Sequence, residues 1–411
     1  MEAVATLSAM DKRDSGVRGI GQELVHRQTD GEAALISRRR FLRWSAGAGV
    51  LPFVGCGHRA VRGGGVPVVS SVTSSLKAAG AAHGLLVGCA VDTRALRADT
   101  AYAALVAEQA SIVVAENAMK WGALHPARDT YDFEQADSLV AFAEGHRIKV
   151  RGHNLCWHRY VPEWVMRLSP GAQAKGVFVE HIERVAGRYA GRMHSWDVVN
   201  EAIEVKDGRA DGMRVSPWLS LVGDDYIEVA FRAARAADPQ ALLTYNEYGI
   251  EGEDEASYRK RRAVLMLLRR LKARNVPVDA MGVQSHLSAG DASYGPGLRG
   301  FLKDMRELDL QVFLTEMDVN DRALPADVAV RDKAVAGVYG RYLDLVLADP
   351  AVTAVLTWGI TDRYTWLNHE GSRKDQLSER ALPFDVDYRG KEAFDATIDA
   401  IDRRPKAGAR G

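Results

Sequence analysis

Cysteine is nearly missing from this chain. Three cysteines (Cys56, Cys89 and Cys156) in 411 residues are too few for a disulfide framework, and their spacing fits no zinc site. An excess charge is missing as well. With 54 Lys plus Arg against 54 Asp plus Glu, no global field draws the chain to nucleic acid or to an anionic membrane. The apolar run at residues 45–55 is too short to cross a bilayer, so no transmembrane segment is expected. No Gly-x-Ser-x-Gly elbow occurs, which disfavours a serine hydrolase. No Gly-rich phosphate loop follows the first predicted strand, where Gly88-Cys89-Ala90-Val91-Asp92 stands instead. His153 and His158 are five apart, a spacing that suits neither one helix face nor the usual zinc ligands. No metal and no cofactor is expected.

What is present is an ordinary soluble composition, 47% hydrophobic and 26% charged, long enough for one large domain or two small ones. Residues 1–36 are polar and aperiodic. Ser37-Arg38-Arg39-Arg40-Phe41-Leu42 then precedes the weakly apolar run, a pattern similar to a twin-arginine export signal. Cys56 follows Phe53-Val54-Gly55, which loosely resembles a lipoprotein cleavage box and offers a lipid attachment point. The organisation expected is a signal region over 1–60, a Gly/Val/Ser linker over 61–75 and one folded domain over 76–405. Its destination would be the periplasm, the exterior or a lipid anchor.

From residue 76 on, strand-like runs alternate with amphipathic helical segments. The runs are 85–90, 112–115, 148–152, 196–199, 242–245, 280–284, 312–315 and 354–358. Eight strands, each followed by a helix, predict the α/β class and a single (β/α)8 TIM barrel, with a doubly wound sheet as runner-up. In such barrels chemistry gathers where the strands end. The fourth strand runs straight into Asn200-Glu201, and both side chains can enter one cleft only if the ladder stops or bulges there. The other ends carry Glu116-Asn117-Ala118-Met119-Lys120-Trp121, His153-Asn154-Leu155-Cys156-Trp157, Tyr245-Asn246-Glu247, Gln284-Ser285-His286, Thr315-Glu316-Met317-Asp318 and Trp358-Gly359-Ile360-Thr361-Asp362, with Trp366 beyond.

Singly, each of these has a bland explanation: a helix-start acid, a satisfied core histidine, a core aromatic. Their recurrence at one rim makes coincidence a poor account. Paired carboxylates among amides, imidazoles and indole faces are what glycoside hydrolysis needs, one acid to protonate the leaving oxygen and one to attack the anomeric carbon. The period of two puts Glu316 on the face of Leu314 and Val312, directed into the barrel mouth.

Together with Arg151-Gly152-His153-Asn154, Trp196-Asp197-Val198-Val199-Asn200-Glu201 and Ser216-Pro217-Trp218, these motifs resemble glycoside hydrolase family 10, the endo-β-1,4-xylanases, over residues 73–401. The resemblance implies Glu201 as acid/base, Glu316 as nucleophile and retention of configuration. It implies Asn200 on the sugar 2-hydroxyl, and His286 orienting Glu316 with Gln284 nearby. Glu116, Asn117 and Lys120 would hold the sugar further toward the non-reducing end. His153, Trp157, Trp358 and Trp366 would wall the nearest subsites, and Tyr245 joins the substrate-binding set. Two positions depart from the family: Glu247 stands where Asp is usual, and Arg363 where a small residue is common. Arg363 could meet an acidic branch on the substrate or simply a protein carboxylate.

The expectation is thus an exported xylan or xylo-oligosaccharide hydrolase, acting as a monomer. The alternatives are another retaining β-glycanase of the same clan, acting on glucan or cellulose, and a catalytically silent sugar-binding barrel.

Overall fold

The computed structural model describes residues 75–290, 293–368 and 373–405. Arg38, Arg39, Cys56 and the linker up to residue 74 lie outside the described residues. Among the described residues nine strands are formed: β1 (Leu86–Val91), β2 (Ile112–Ala115), β3 (Lys149–Trp157), β4 (Ser195–Asn200), β5 (Leu242–Glu247), β6 (Ala280–Val283), β7 (His286–Ser288), β8 (Gln311–Asn320) and β9 (Val352–Thr357). All but β7 join in one closed parallel ring, in which β1 pairs with both β2 and β9, and β6 pairs with β8. The eight expected strands are these eight. The ninth arises because β8 runs past the wall, and its last residues, Asp318–Asn320, pair with His286–Ser288.

Two apolar layers account for the closure. Inside the ring Ala90, Ile112, Val114, Ala280, Phe313, Ala354 and Leu356 fill a small core, and Trp358 covers it at the mouth. The opposite faces of the strands, such as Val87, Cys89 and Val91 of β1, pack outward on the helices. Helix Ala172–Arg188 meets them with Phe178, Ile182 and Val185, and helix Val328–Val346 with Val335, Tyr339 and Tyr342, both at helical spacing. Side-chain caps start several helices, including Asp254 on Ser257 N–H and Asp327 on Val330 N–H. Cys89 and Cys156 are both free and buried in this outer layer, and burial pushes the Cys89 thiol up to about 12. At Gly152 a Cβ would overlap the Trp196 ring on the neighbouring strand, so this position needs glycine for the two strands to close.

Candidate active site

The ladder does stop where the sequence required it. β4 ends at Asn200, and Glu201 turns into the left-handed region at φ +58° while its N–H donates to Asn246 O at 2.9 Å. The register against β5 also shifts between Asp197 and Val199. This turn brings two neighbours in sequence onto one cleft, at a conformational cost of about 1–2 kcal/mol for a non-glycine residue. Glu201 Oε1 accepts hydrogen bonds from Gln284 Nε2 at 3.1 Å and from Asn200 Nδ2 at 3.3 Å. Its Oε2 lies 3.8 Å from His158 Nδ1. Burial, reinforced by Arg214, Arg159 and Lys260, pushes His158 down to about 3, so that neighbour is a neutral imidazole rather than a salt-bridge partner.

Glu316 reaches the cleft by a different device from the one the alternation suggested. Val312 and Leu314 face the outer helical layer, and Phe313 fills the ring interior. The register of β8 on β9 shifts between Leu314 and Met317, and this bulge redirects the strand. Thr315 and Glu316 consequently both reach Asn246: Thr315 Oγ1 donates to its Oδ1 at 2.7 Å, and its Nδ2 donates to Glu316 Oε1 at 2.7 Å. Glu316 Oε2 meets His286 Nε2 at 3.3 Å, and His286 Nδ1 meets Asp318 Oδ1 at 3.0 Å. Burial alone would raise the Glu316 pKa. The hydrogen bond from His286, the positive fields of His153 and His286 and the Asn246 amide outweigh it, and the carboxyl lies below its ordinary value. His286 is correspondingly held well above its own: burial opposes the charge, but Asp318 and Glu316 overcome that. Glu316 is therefore an ionised carboxylate beside an imidazolium, whereas Glu201 has amides for partners.

One hydrogen-bonded chain joins the two acids. It runs from Glu201 through Gln284 to Asn200 Oδ1 (3.2 Å), on to Asn246 Nδ2 (2.9 Å), and from there to Glu316. Asn246 is the residue that reading strand ends failed to single out. Its amide hydrogens and its oxygen are all used within the site, and a Cβ at Gly282 would collide with it. Its signal was its place between Tyr245 and Glu247 at the end of the fifth strand. Gln284 lies beside Glu316 as expected, accepting the Glu316 N–H on its carbonyl at 3.0 Å, while its side chain contacts Glu201.

Beneath the cleft a buried charge relay positions His153. Arg151 bonds Asp197 through Nη2 and reaches Ser195 Oγ at 3.1 Å and Thr244 Oγ1 at 3.3 Å through Nη1. Asp197 in turn holds His153 Nδ1 at 2.9 Å, which turns Nε2 toward the Asn154 amide at 3.3 Å. Trp358 stands edge-on to His153 and to His286, with centroids 5.2 Å and 6.4 Å away. Trp366 Nε1 donates to Asp318 Oδ2 at 2.8 Å, so Asp318 anchors both an indole and the imidazolium. A second polar group forms beside Trp157. Lys120 Nζ donates to Asn117 Oδ1 at 2.8 Å and lies over the Trp157 ring, 5.1 Å from its centroid. Asn117 Nδ2 reaches Glu116 Oε1 at 3.3 Å. Burial, only partly offset by Lys120, pushes Glu116 up to about 7.

Tyr245 is the expected site residue that faces elsewhere. It is 0% exposed in the outer layer, and its hydroxyl donates to Glu247 Oε2 at 2.7 Å. Tyr245 belongs to the inward–outward alternation of β5, and Asn246 takes the cleft face. Glu247 is buried with Lys260 Nζ at 2.9 Å and Ile203 N–H at 3.1 Å, so the longer acid serves as a structural tie. Arg363 is engaged by the protein, with Nη1 on Val386 O at 3.1 Å and Nε 3.9 Å from Asp99 Oδ2. Among the described residues no cluster of three or more His, Cys, Asp or Glu side chains is placed to hold a metal ion.

Comparison with known proteins places this geometry. The chain is 34% identical over 332 residues to endo-1,4-beta-xylanase B of Paenibacillus barcinonensis, covering 76% of this chain and 94% of that one. It is 34% identical to endo-1,4-beta-xylanase B of Thermotoga neapolitana, covering 74% and 84%. Among solved structures, xylanase 10B of Thermotoga petrophila in complex with xylobiose superposes with a TM-score of 0.73 at 33% identity, covering 80% of this chain and 97% of that one. The family profile described as glycosyl hydrolase family 10 matches residues 75–400, and the chain belongs to glycosyl hydrolase family 10.

Proposed function

We propose that this enzyme is a retaining endo-β-1,4-xylanase. The observation that carries the proposal is the asymmetry of the two linked acids, an ionised Glu316 beside the His286 imidazolium and Glu201 among amides. The names of the relatives support xylan as the substrate class.

In the first step a Glu316 oxygen attacks the anomeric carbon while Glu201 gives its proton to the glycosidic oxygen. The carbon–oxygen bond to the leaving chain breaks, and a glycosyl ester forms on Glu316. In the second step Glu201, now a carboxylate, takes a proton from water. That water oxygen bonds to the anomeric carbon, and the ester bond breaks with Glu316 as leaving group. Two inversions return the original configuration. Asn200 serves the 2-hydroxyl of the sugar under attack, and Glu116, Asn117 and Lys120 serve the next sugar toward the non-reducing end. His153, Trp157, Trp358 and Trp366 wall the ring being cleaved.

Product analysis on xylan, arabinoxylan, glucuronoxylan and β-glucan side by side tests the substrate class. Xylo-oligosaccharides of several lengths from the first three are expected. Release from glucan alone would reassign the enzyme to another β-glycanase, and no release from any of them would leave a sugar-binding barrel. Export is part of the same proposal, motivated by Arg38-Arg39 ahead of the apolar run. Mass spectrometry of exported protein should find a chain starting at or beyond Cys56, and a lipid-sized addition there would mark anchoring. An intact cytoplasmic chain as the sole species would refute export.

A further inference from the structure

Both catalytic carboxyls are held from one short segment. Gln284 contacts Glu201 and His286 contacts Glu316, and between them stands Ser285. The chain turns sharply there: Ser285 has φ +65°, a region that non-glycine residues enter at about 1–2 kcal/mol. Four bonds fix this turn, one of them from the Asp318 N–H to the Ser285 carbonyl at 3.3 Å. Ser285 N–H donates to Glu251 Oε1 at 2.8 Å, its hydroxyl shares a hydrogen bond with Tyr342 OH at 2.7 Å, and Oγ donates to Val283 O at 3.2 Å.

Glu251 has no place in the chemistry proposed above, yet it is a buried acid on the loop that follows β5. Its second oxygen accepts the Ile250 N–H at 2.7 Å. Among the described residues no cation forms an ion pair with it, and burial pushes its pKa up, partly offset by the Ser285 and Ile250 amides and by the charge of His286. The phenols of Tyr294 and Tyr342 sense its charge, and the Arg261 guanidinium bonds the carbonyls of Ile250 and Gly252 on either side of it. A carboxyl so buried is expensive to keep unless its acceptors are needed. Here two main-chain N–H groups, from the loops after β5 and β6, converge on two oxygens. A carboxylate can accept both, whereas an amide must turn its NH2 against one of them.

We propose that Glu251 is a positioning residue for both catalytic acids: by locking Ser285 it sets Gln284 against Glu201 and His286 against Glu316 together. This rests on the reading of Glu201 and Glu316 as the reacting pair. Because the two arms share one pivot, loosening it disturbs protonation of the leaving group and ionisation of the nucleophile at once. Glu251 itself touches neither acid and takes no part in binding sugar.

The test is Glu251→Gln, assayed on xylohexaose across pH alongside a thermal melt and an active-site titration. The kcat should fall by as much as about 100-fold, the scale of an ångström of misplacement, while KM stays within about twofold because no sugar contact is lost. The acid limb of kcat/KM should move to higher pH as His286 loosens from Glu316. Glu251→Asp, which keeps the charge, should recover part of the loss. Tyr342→Phe, which removes only the second anchor of Ser285, should shift the same quantities less, and it decides the matter if Glu251→Gln does not fold. A lower melting temperature with unchanged kcat per titrated site and an unmoved acid limb would reduce Glu251 to a structural residue and overturn the inference. Failure of the wild type on every xylan would strike the functional reading instead, so the two failures are separable.

Discussion

Replacing His286 with asparagine isolates the electrostatics of Glu316. The side chain remains polar, but the imidazolium between Asp318 and Glu316 is gone. Glu316 keeps the Asn246 amide and Asp318 keeps the Trp366 indole, so neither carboxyl is orphaned. What Glu316 itself loses is one charge-assisted hydrogen bond in a buried site, worth about 1.5–3 kcal/mol. At about 1.4 kcal/mol per pH unit, the acid limb of kcat/KM should rise by about 1–2 pH units. The sign follows from the native state. Glu316 lies below its ordinary value because of His286, so removing that partner lets it take up a proton at higher pH, and the working carboxylate disappears sooner on acidification. A pH series with a xylobioside of activated phenol reads the limb without dependence on Glu201, since such a leaving group needs no proton. An acid limb that stays in place, or moves to lower pH, would refute the assignment of His286 as the group that keeps Glu316 ionised.

Three further outcomes follow from other parts of the cleft. Glu201→Ala should retain turnover of the activated substrate far better than of xylan, and azide should restore deglycosylation to give a β-azide, identified by NMR. Glu116, pushed up to about 7, changes charge across neutral pH, so KM for xylohexaose should fall as pH rises through that value. Glu116→Gln should flatten the dependence, and an unaltered slope would remove Glu116 as its source. Arg363 is bound to Val386 O and near Asp99, so Arg363→Ser should leave the ratio of rates on glucuronoxylan and neutral xylan unchanged. A selective loss on glucuronoxylan would instead make it a branch-binding residue.

Strand ends were legible because barrel strands are short runs of β-branched and aromatic residues. A polar residue that interrupts such a run marks where the backbone leaves the core. That is why Glu201, Glu316 and His286 could be named from their positions. The face of Glu316 was not legible, since simple alternation fails across the bulge between Leu314 and Met317, and nothing in Thr315-Glu316-Met317 announces a bulge. Tyr245 and Asn246 were exchanged for a related reason. Tyrosine is the more familiar sugar-stacking residue, but the β5 pleat gives the cleft to the amide. Arg151, Asp197 and Glu251 act through partners on other strands and loops. Their roles rest on contacts between residues 46 positions apart in one case and 34 in the other, which no local pattern encodes.

The central claim is that Glu316 forms a covalent bond to the sugar. It is tested most directly by incubating the enzyme with a xylobioside fluorinated beside the anomeric carbon and bearing an activated leaving group. This slows both steps but leaves the ester on the nucleophile to accumulate. Mass spectrometry of the digested protein should show the fluorinated xylobiosyl group on the peptide carrying Glu316, and Glu316→Ala should abolish labelling while Glu201→Ala does not. Labelling at another carboxylate, or no adduct together with an inverted first-formed product, would contradict the account.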